Sequence, residues 1–285
     1  MNIKKETHFI LDKYNIRADK SLGQNFLVNQ DAIDGIIAAS KVGKTDYVIE
    51  IGPGLGTLTH ELLNQAGFVT CIELDNKMID ILHDRFSLYD NFELIHDDVL
   101  KVDLKQLIEN NLEKHKLKNV RIVANLPYYI TTPIIMKLLE EKLGLNSITV
   151  MIQKEVAQRL TAVPGTKESG AITYSIYYYT EPQLNLNVDK SSFIPQPKVD
   201  SSVITLNILL EPRVKTNNPE LMFKIIKASF MQKRKTLVNG LVTGGIVENK
   251  LKAEKMLLDL GFSKDIRGEK LTLEDFAKLA DYLGE

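Results

Sequence analysis

The sequence holds a single cysteine, Cys71, so no disulfide can form within the chain. Cys71 lies in the apolar stretch Phe68-Val69-Thr70-Cys71-Ile72, where it reads as a buried, reduced core residue, and a reducing compartment fits. No apolar run approaches the ~20 residues of a membrane span. Met1-Asn2-Ile3-Lys4-Lys5-Glu6 has no apolar signal-peptide core. The 5 histidines are scattered, with no metal-ligand spacing. Internal repeats and low-complexity stretches are absent as well. The expectation is a cytoplasmic protein with no metal and no membrane contact. What is present, 285 residues with 44% hydrophobic and 26% charged content, fits a soluble globular protein with a sizeable core. That length allows one large domain, or a large one and a small one.

Net charge is only −1, but it is unevenly spread. From Asp46 to Glu113 there are 14 acids against Lys77, Arg85, Lys101 and Lys105, a balance of −10. From Arg213 to Lys235 there are 7 bases against Glu220 alone, a balance of +6. A basic block behind an acidic domain suggests contact with a polyanion through part of the surface. A solvated helix face is the plainer reading of such a block. Lys233-Arg234-Lys235 in succession tilts it towards nucleic acid.

The rest is organised around Val48 to Gly56, Val-Ile-Glu-Ile-Gly-Pro-Gly-Leu-Gly. An apolar run ends in glycines at 52, 54 and 56, and Thr57 then opens a helical pattern: a strand, a tight turn and a helix start. The spacing is Gly-x-Gly-x-Gly rather than the Gly-x-Gly-x-x-Gly of dinucleotide folds. Glu50, just ahead of the turn, suits a positively charged ligand better than a pyrophosphate. An ordinary strand-to-helix turn is the alternative.

Before this motif, residues 20–27 read as a loop, and Asp31 is placed to cap a short helix over 32–40. After it, strands at 68–73, 92–96, 120–124 and 147–152 alternate with helices at 57–66, 76–86, 103–116 and 133–143. Near-continuous apolar strands separated by helices predict a parallel sheet covered on both faces. Ligands of such sheets bind outside the strands' carboxyl ends. Three strand ends carry suitable groups. Glu73 falls 21 positions after Gly52, near the offset at which an acid accepts ribose hydroxyls. Asp97 or Asp98 can accept from an adenine amine while Val99 or Leu100 covers the ring, though either acid can equally be a cap. Asn125-Leu126-Pro127-Tyr128 sets an amide, a stiffened turn and an aromatic face at the mouth of the site. An aromatic amine is a poor nucleophile, and an Asn125 oxygen with a backbone carbonyl can hold its hydrogens, while Tyr128 stacks on the ring. A plain Asn-x-Pro turn is the competing reading.

Further on, a helix starts at Gln153 and ends before Pro164, and Ala171 to Tyr179 is either an RNA stacking surface or a core helix, with core favoured for most of its tyrosines. Residues 184–188 and 203–206 alternate as half-buried strands of a closing hairpin. Between them Phe193 precedes two prolines, a position from which it can clamp the second face of a flipped base opposite Tyr128. A packed loop aromatic is the alternative. Glu211 to Pro219 reads as a linker, and helices follow at about 219–232, 234–242, 249–260 and 273–283. The predicted fold is α/β, with residues 1–210 as the catalytic domain and residues 211–285 as a small all-helical one.

Leu22-Gly23-Gln24-Asn25-Phe26-Leu27, Glu50 to Gly56, Asn125 to Tyr128, Phe193 to Ser201 and Arg267-Gly268-Glu269-Lys270-Leu271 together resemble the KsgA/RsmA family of ribosomal RNA adenine dimethyltransferases, relatives of the Erm enzymes. The resemblance spans residues 20 to 271. It implies a Rossmann-like class I methyltransferase sheet with a small C-terminal all-helical domain, and S-adenosylmethionine as methyl donor. Carried over by position, Asn25, Leu27 and Gly52 would lie along the donor, Glu73 would take its ribose, Asp98 its adenine amine, and Asn125 would bridge donor and target. Asn125, Leu126, Pro127, Tyr128 and Phe193 would form the transfer site, and Lys233, Arg234 and Lys235 an RNA contact. The implied reaction is N6,N6-dimethylation of two adjacent adenosines near the 3′ end of 16S rRNA by a monomer, within an assembling small ribosomal subunit. An Erm-type enzyme of the large subunit, a small-molecule N-methyltransferase and a non-catalytic assembly factor are the rivals.

Overall fold

A computed structural model describes residues 3–19, 22–232 and 235–284. In chain order the elements are α1 (Ile3–Lys13), β1 (Phe26–Leu27), α2 (Gln30–Ser40), β2 (Asp46–Ile51), α3 (Thr57–Gln65), β3 (Phe68–Glu73), α4 (Asn76–Phe86) and β4 (Phe92–His96). They continue with α5 (Leu104–His115), β5 (Asn119–Asn125), α6 (Thr131–Glu140), β6 (Ser147–Gln153), α7 (Lys154–Leu160), α8 (Ala171–Tyr179), β7 (Thr180–Val188), β8 (Phe193–Ile194) and β9 (Ser201–Ile208). Four further helices follow: α9 (Pro219–Met231), α10 (Leu237–Thr243), α11 (Lys250–Asp259) and α12 (Leu273–Gly284). Among the described residues, no helix is long and apolar enough to cross a membrane.

The seven-stranded sheet runs β4-β3-β2-β5-β6-β9-β7, with parallel pairing from β4 to β6 and β9 antiparallel to β6. Every residue of β2 and of β3 is buried, as strands covered on both faces require. The chain passes from β2 to β3 on one side, and β5 returns to the other side of β2. Connections leaving β2 and β5 therefore diverge and open a crevice at their carboxyl ends. The opposite end of these strands is closed by Asp46, which accepts from Arg121 Nε and Asn119 Nδ2, both at 2.7 Å.

Two expectations near the N-terminus change. The helix α2 starts earlier than predicted, because Asn29 caps it by accepting from the Ala32 amide at 3.2 Å; Asp31 lies inside its first turn. Residues 3–13, not predicted as structured, form α1, whose Ile10 enters the core while Arg85 donates to Glu6 at 2.7 Å. With Thr7 as its only other buried residue, the apolar stripe of α1 is too thin to show as periodicity.

The chain divides into two compact units: residues up to Ala157 with Gln183–Ile208, and Gln158–Pro182 with residues from Leu209 on. The last division falls after Ile208, and residues 158–182 belong to the second unit. The cause is α8: Tyr174 and Tyr178 are buried in the helical unit's core, where the Tyr174 ring meets Phe276 edge-on at 5.1 Å. The Tyr174 hydroxyl donates to the Leu271 carbonyl at 2.6 Å and accepts from the Gly165 amide at 3.1 Å. These two tyrosines are core residues. Asn218 caps α9 through the Leu221 amide at 3.0 Å, with Pro219 at the first helical position.

Candidate active site

The turn after β2 takes positive φ at three glycines, +65° at Gly52, +56° at Gly54 and +78° at Gly56. At Gly56 the demand is also steric, since a Cβ there would lie 2.4 Å from the Phe86 ring. Neighbouring strands and helices hold the loop by hydrogen bonds. The Gly52 amide donates to the Ile72 carbonyl at 2.9 Å, the Gly54 amide to Glu73 Oε2 at 3.2 Å, and Arg85 donates to the Leu55 carbonyl at 2.6 Å.

Glu50 lies beneath this turn and is 1% exposed. Its Oε2 accepts from Thr59 Oγ1 at 2.6 Å and from Cys71 Sγ at 3.3 Å, and burial pushes the carboxyl up to about 7. Cys71 is the buried thiol expected from the sequence.

Glu73, at the end of β3, is buried and accepts three backbone amides: Leu74 at 2.8 Å and Asp75 at 2.9 Å on Oε1, and Gly54 at 3.2 Å on Oε2. Burial raises its pKa, against the pull of those amides. One strand along, Asp98 Oδ1 accepts from the Leu100 amide at 3.0 Å, and its Oδ2 makes no hydrogen bond among the described residues. Val99 lines the same cleft; Leu100 does not. Leu74, half exposed, lines it from the β3 side. Sequence reasoning missed Leu74, because one exposed leucine after a strand carries no periodic signal.

At the end of β5, Asn125 Nδ2 donates to the Asn25 carbonyl at 3.4 Å. Its Oδ1 accepts nothing from the described residues, and Asn125 lines the cleft. Of the two carbonyls that follow, that of Pro127 is taken by the Ile130 amide and Thr131 Oγ1, at 3.2 and 3.1 Å, which leaves the Leu126 carbonyl. The half-buried Tyr128 is fixed by a 2.6 Å hydrogen bond between its hydroxyl and Ser201 Oγ. Burial raises its phenol pKa. The opening loop closes the cleft from above: Gln24 Nε2 donates to Asp75 Oδ2 at 2.7 Å, and Phe26 and Leu27 pair with Ile194 and Phe193.

These groups line one cleft that is partly open to solvent. Asn25, Leu27, Gly52, Glu73, Asp98, Asn125, Leu126, Pro127 and Tyr128 all line it. Phe193 does not. It is 3% exposed and packs in the core, where it is the β1–β8 register partner of Leu27. The expected clamp is therefore, in this structure, the packed aromatic of the alternative reading. Tyr129, 57% exposed, is the more accessible aromatic of the cleft wall.

Of the expected RNA contacts, Lys233 and Arg234 lie outside the described residues, and Lys235 is exposed. The basic block is not uniformly free: Arg213 donates to the carbonyls of Tyr177 and Thr180 and pairs with Glu181 at 2.5 Å, over the Tyr177 ring. Among the described residues, no group of three or more His, Cys, Asp or Glu could hold a metal ion.

Residues 15–285 match the sequence profile described as ribosomal RNA adenine dimethylase. The chain belongs to that family. Dimethylase relatives named Ribosomal RNA small subunit methyltransferase A are 46% identical in Alkaliphilus oremlandii, over 99% of this chain and 97% of the relative, and 47% in Bacillus licheniformis, over 98% and 96%. Among similar solved structures, a dimethyladenosine transferase from Plasmodium falciparum is 29% identical with a TM-score of 0.70, over 89% of this chain and 95% of that one. The 23S rRNA methyltransferase ErmE, 24% identical over 92% of this chain and all of its own, has a TM-score of 0.68 and shares the fold. The resemblance read from the motifs and the α/β methyltransferase fold with a helical C-terminal region are both borne out.

Proposed function

We propose that this protein dimethylates the N6 amines of adenosines in small-subunit ribosomal RNA, with S-adenosylmethionine as methyl donor, during assembly of the subunit. The observation that carries the reading is Asn125, which lines the cleft beside Tyr128 with its Nδ2 donating to the Asn25 carbonyl and its Oδ1 unpaired among the described residues. That oxygen and the Leu126 carbonyl suit the two hydrogens of an exocyclic amine, and the Tyr128 face suits the purine that bears it. Both hydrogen bonds favour a pyramidal nitrogen whose lone pair is withdrawn from the ring. Catalysis then rests on positioning, with no strong base required.

The donor set of the cleft fits the methyl donor. Glu73 offers carboxylate lone pairs to ribose hydroxyls, Asp98 Oδ2 an acceptor for an adenine amine, and Leu74 and Val99 an apolar enclosure for the base. Gly52 leaves room along the turn, where a Cβ would meet only Pro127, at 4.0 Å. Buried Glu50 would lie beneath a ligand of positive charge. When bound there, S-adenosylmethionine supplies an electrophilic sulfonium methyl group. A target adenosine must leave its stack to reach Asn125, at a cost of roughly a few kcal/mol that the Tyr128 face offsets.

The first unit would hold the donor, and the helical unit, with Lys233, Arg234 and Lys235, would hold RNA. Two adjacent adenosines near the 3′ end of 16S rRNA are the proposed target. The small-subunit names of relatives at 46–47% identity support this over a large-subunit target, for which the ErmE likeness is one of fold. The test is to incubate the protein with labelled S-adenosylmethionine and, separately, unmethylated small and large ribosomal subunits. Label entering small-subunit RNA as dimethyladenosine is expected; label confined to the large subunit, or to neither, refutes the proposal.

A further inference from the structure

The cleft wall carries two neighbouring tyrosines in different states. Tyr128 is half-buried, and its hydroxyl is tied to Ser201. Tyr129 is 57% exposed, and its hydroxyl makes no hydrogen bond among the described residues. Among the exposed large hydrophobic residues, Tyr129 stands out with Leu74 as one that also lines the cleft. Its inner side is built. A Cβ on Gly23 would lie 3.3 Å from Tyr129 Cδ1 and 3.5 Å from Cε1, so the ring rests against a residue that has none. Gly23 takes φ +63°, and its carbonyl accepts Asn25 Nδ2 at 2.9 Å, which fixes the shelf beneath the ring. Phe193, the expected clamp, is packed in the core.

We propose that Tyr129 is a stacking platform for the nucleobase next to the target adenosine. This rests on the RNA adenine methyltransferase reading. When a base swings into the cleft, its neighbour on the strand loses a stacking partner at the rim. An aromatic ring held there by Gly23 replaces that partner, whatever the neighbour's identity, because every base has a π-face. The platform is thus a contact with the RNA strand, separate from the amine-holding groups at Asn125 and from the donor groups at Glu73 and Asp98.

The test compares Tyr129→Ala and Tyr129→Phe in the full-length protein. Three measurements are needed: KM for unmethylated small subunits, calorimetric affinity for S-adenosylmethionine, and quenching of 2-aminopurine placed beside the target adenosine in an RNA fragment. The Ala variant should raise KM for RNA roughly ten-fold or more and lose the quenching, with donor affinity and Tm unchanged. The Phe variant should keep both, since the ring stacks and the hydroxyl does not. A wild-type KM for RNA in the Ala variant overturns the proposal, as does a matching loss in both variants. Loss of donor affinity in the Ala variant overturns it too, and makes Tyr129 a support for the opening loop. If wild-type protein quenches the probe but transfers no methyl, the methyltransferase reading fails while the stacking stands.

Discussion

Glu50 makes a measurable link between pH and stability. Its carboxyl is 1% exposed, and burial raises it from 4.5 to about 7; the negative charge of Glu73 adds to the rise, and the hydrogen bonds from Thr59 and Cys71 oppose it. The folded protein therefore keeps a proton on Glu50 over a range where the unfolded chain has lost it. The corresponding stability is fully present below pH 4.5 and is lost as pH climbs through 7. At 1.36 kcal/mol for each unit, the whole window is worth roughly 3 kcal/mol. Glu50→Gln keeps the shape and an acceptor for Thr59 Oγ1 while removing the titration. Urea unfolding of both proteins in steps from about pH 4.5 to 8.5 measures the difference, and groups common to both cancel. The Gln variant should gain on wild type by roughly 3 kcal/mol between the two ends of that range. A difference that stays flat with pH refutes the reasoning. A cationic ligand above Glu50 favours its ionised form, so donor affinity should rise with pH up to about 7 in wild type and stay level in the variant.

Asn125→Ala should abolish methyl transfer while donor binding by calorimetry is largely kept, because the amide acts on the target amine. Glu73→Ala should weaken donor binding, and an unchanged dissociation constant would remove Glu73 from the site. Tyr174→Phe strands the buried Leu271 carbonyl and removes the acceptor of the part-buried Gly165 amide, so thermal or urea unfolding should show a loss of about 1–3 kcal/mol. Reversing the charges of Lys233, Arg234 and Lys235 should weaken RNA binding and lower the slope of log affinity against log salt by about one for each phosphate no longer neutralised. An unaltered slope would return the triplet to a solvated helix face.

By itself the sequence determined the alternation of buried strands and helices, the glycine turn at 52–56 and the polar strand ends at Glu73, Asp98 and Asn125. These are local matters. Burial on both faces writes a continuous apolar run, a positive φ selects glycine, and a parallel sheet places its ligand groups at the carboxyl ends of strands. Only the tertiary structure decided what those groups face. That Asn125 presents its oxygen follows from a carbonyl one hundred positions earlier in the chain, and that Phe193 is core follows from its packing in a cluster drawn from distant segments. The same holds for α8, which joined the helical unit because its tyrosines pack on residues near Leu271 and Phe276. Each of these outcomes rests on a contact between distant segments, and neither residue of such a pair carries a local mark of its partner.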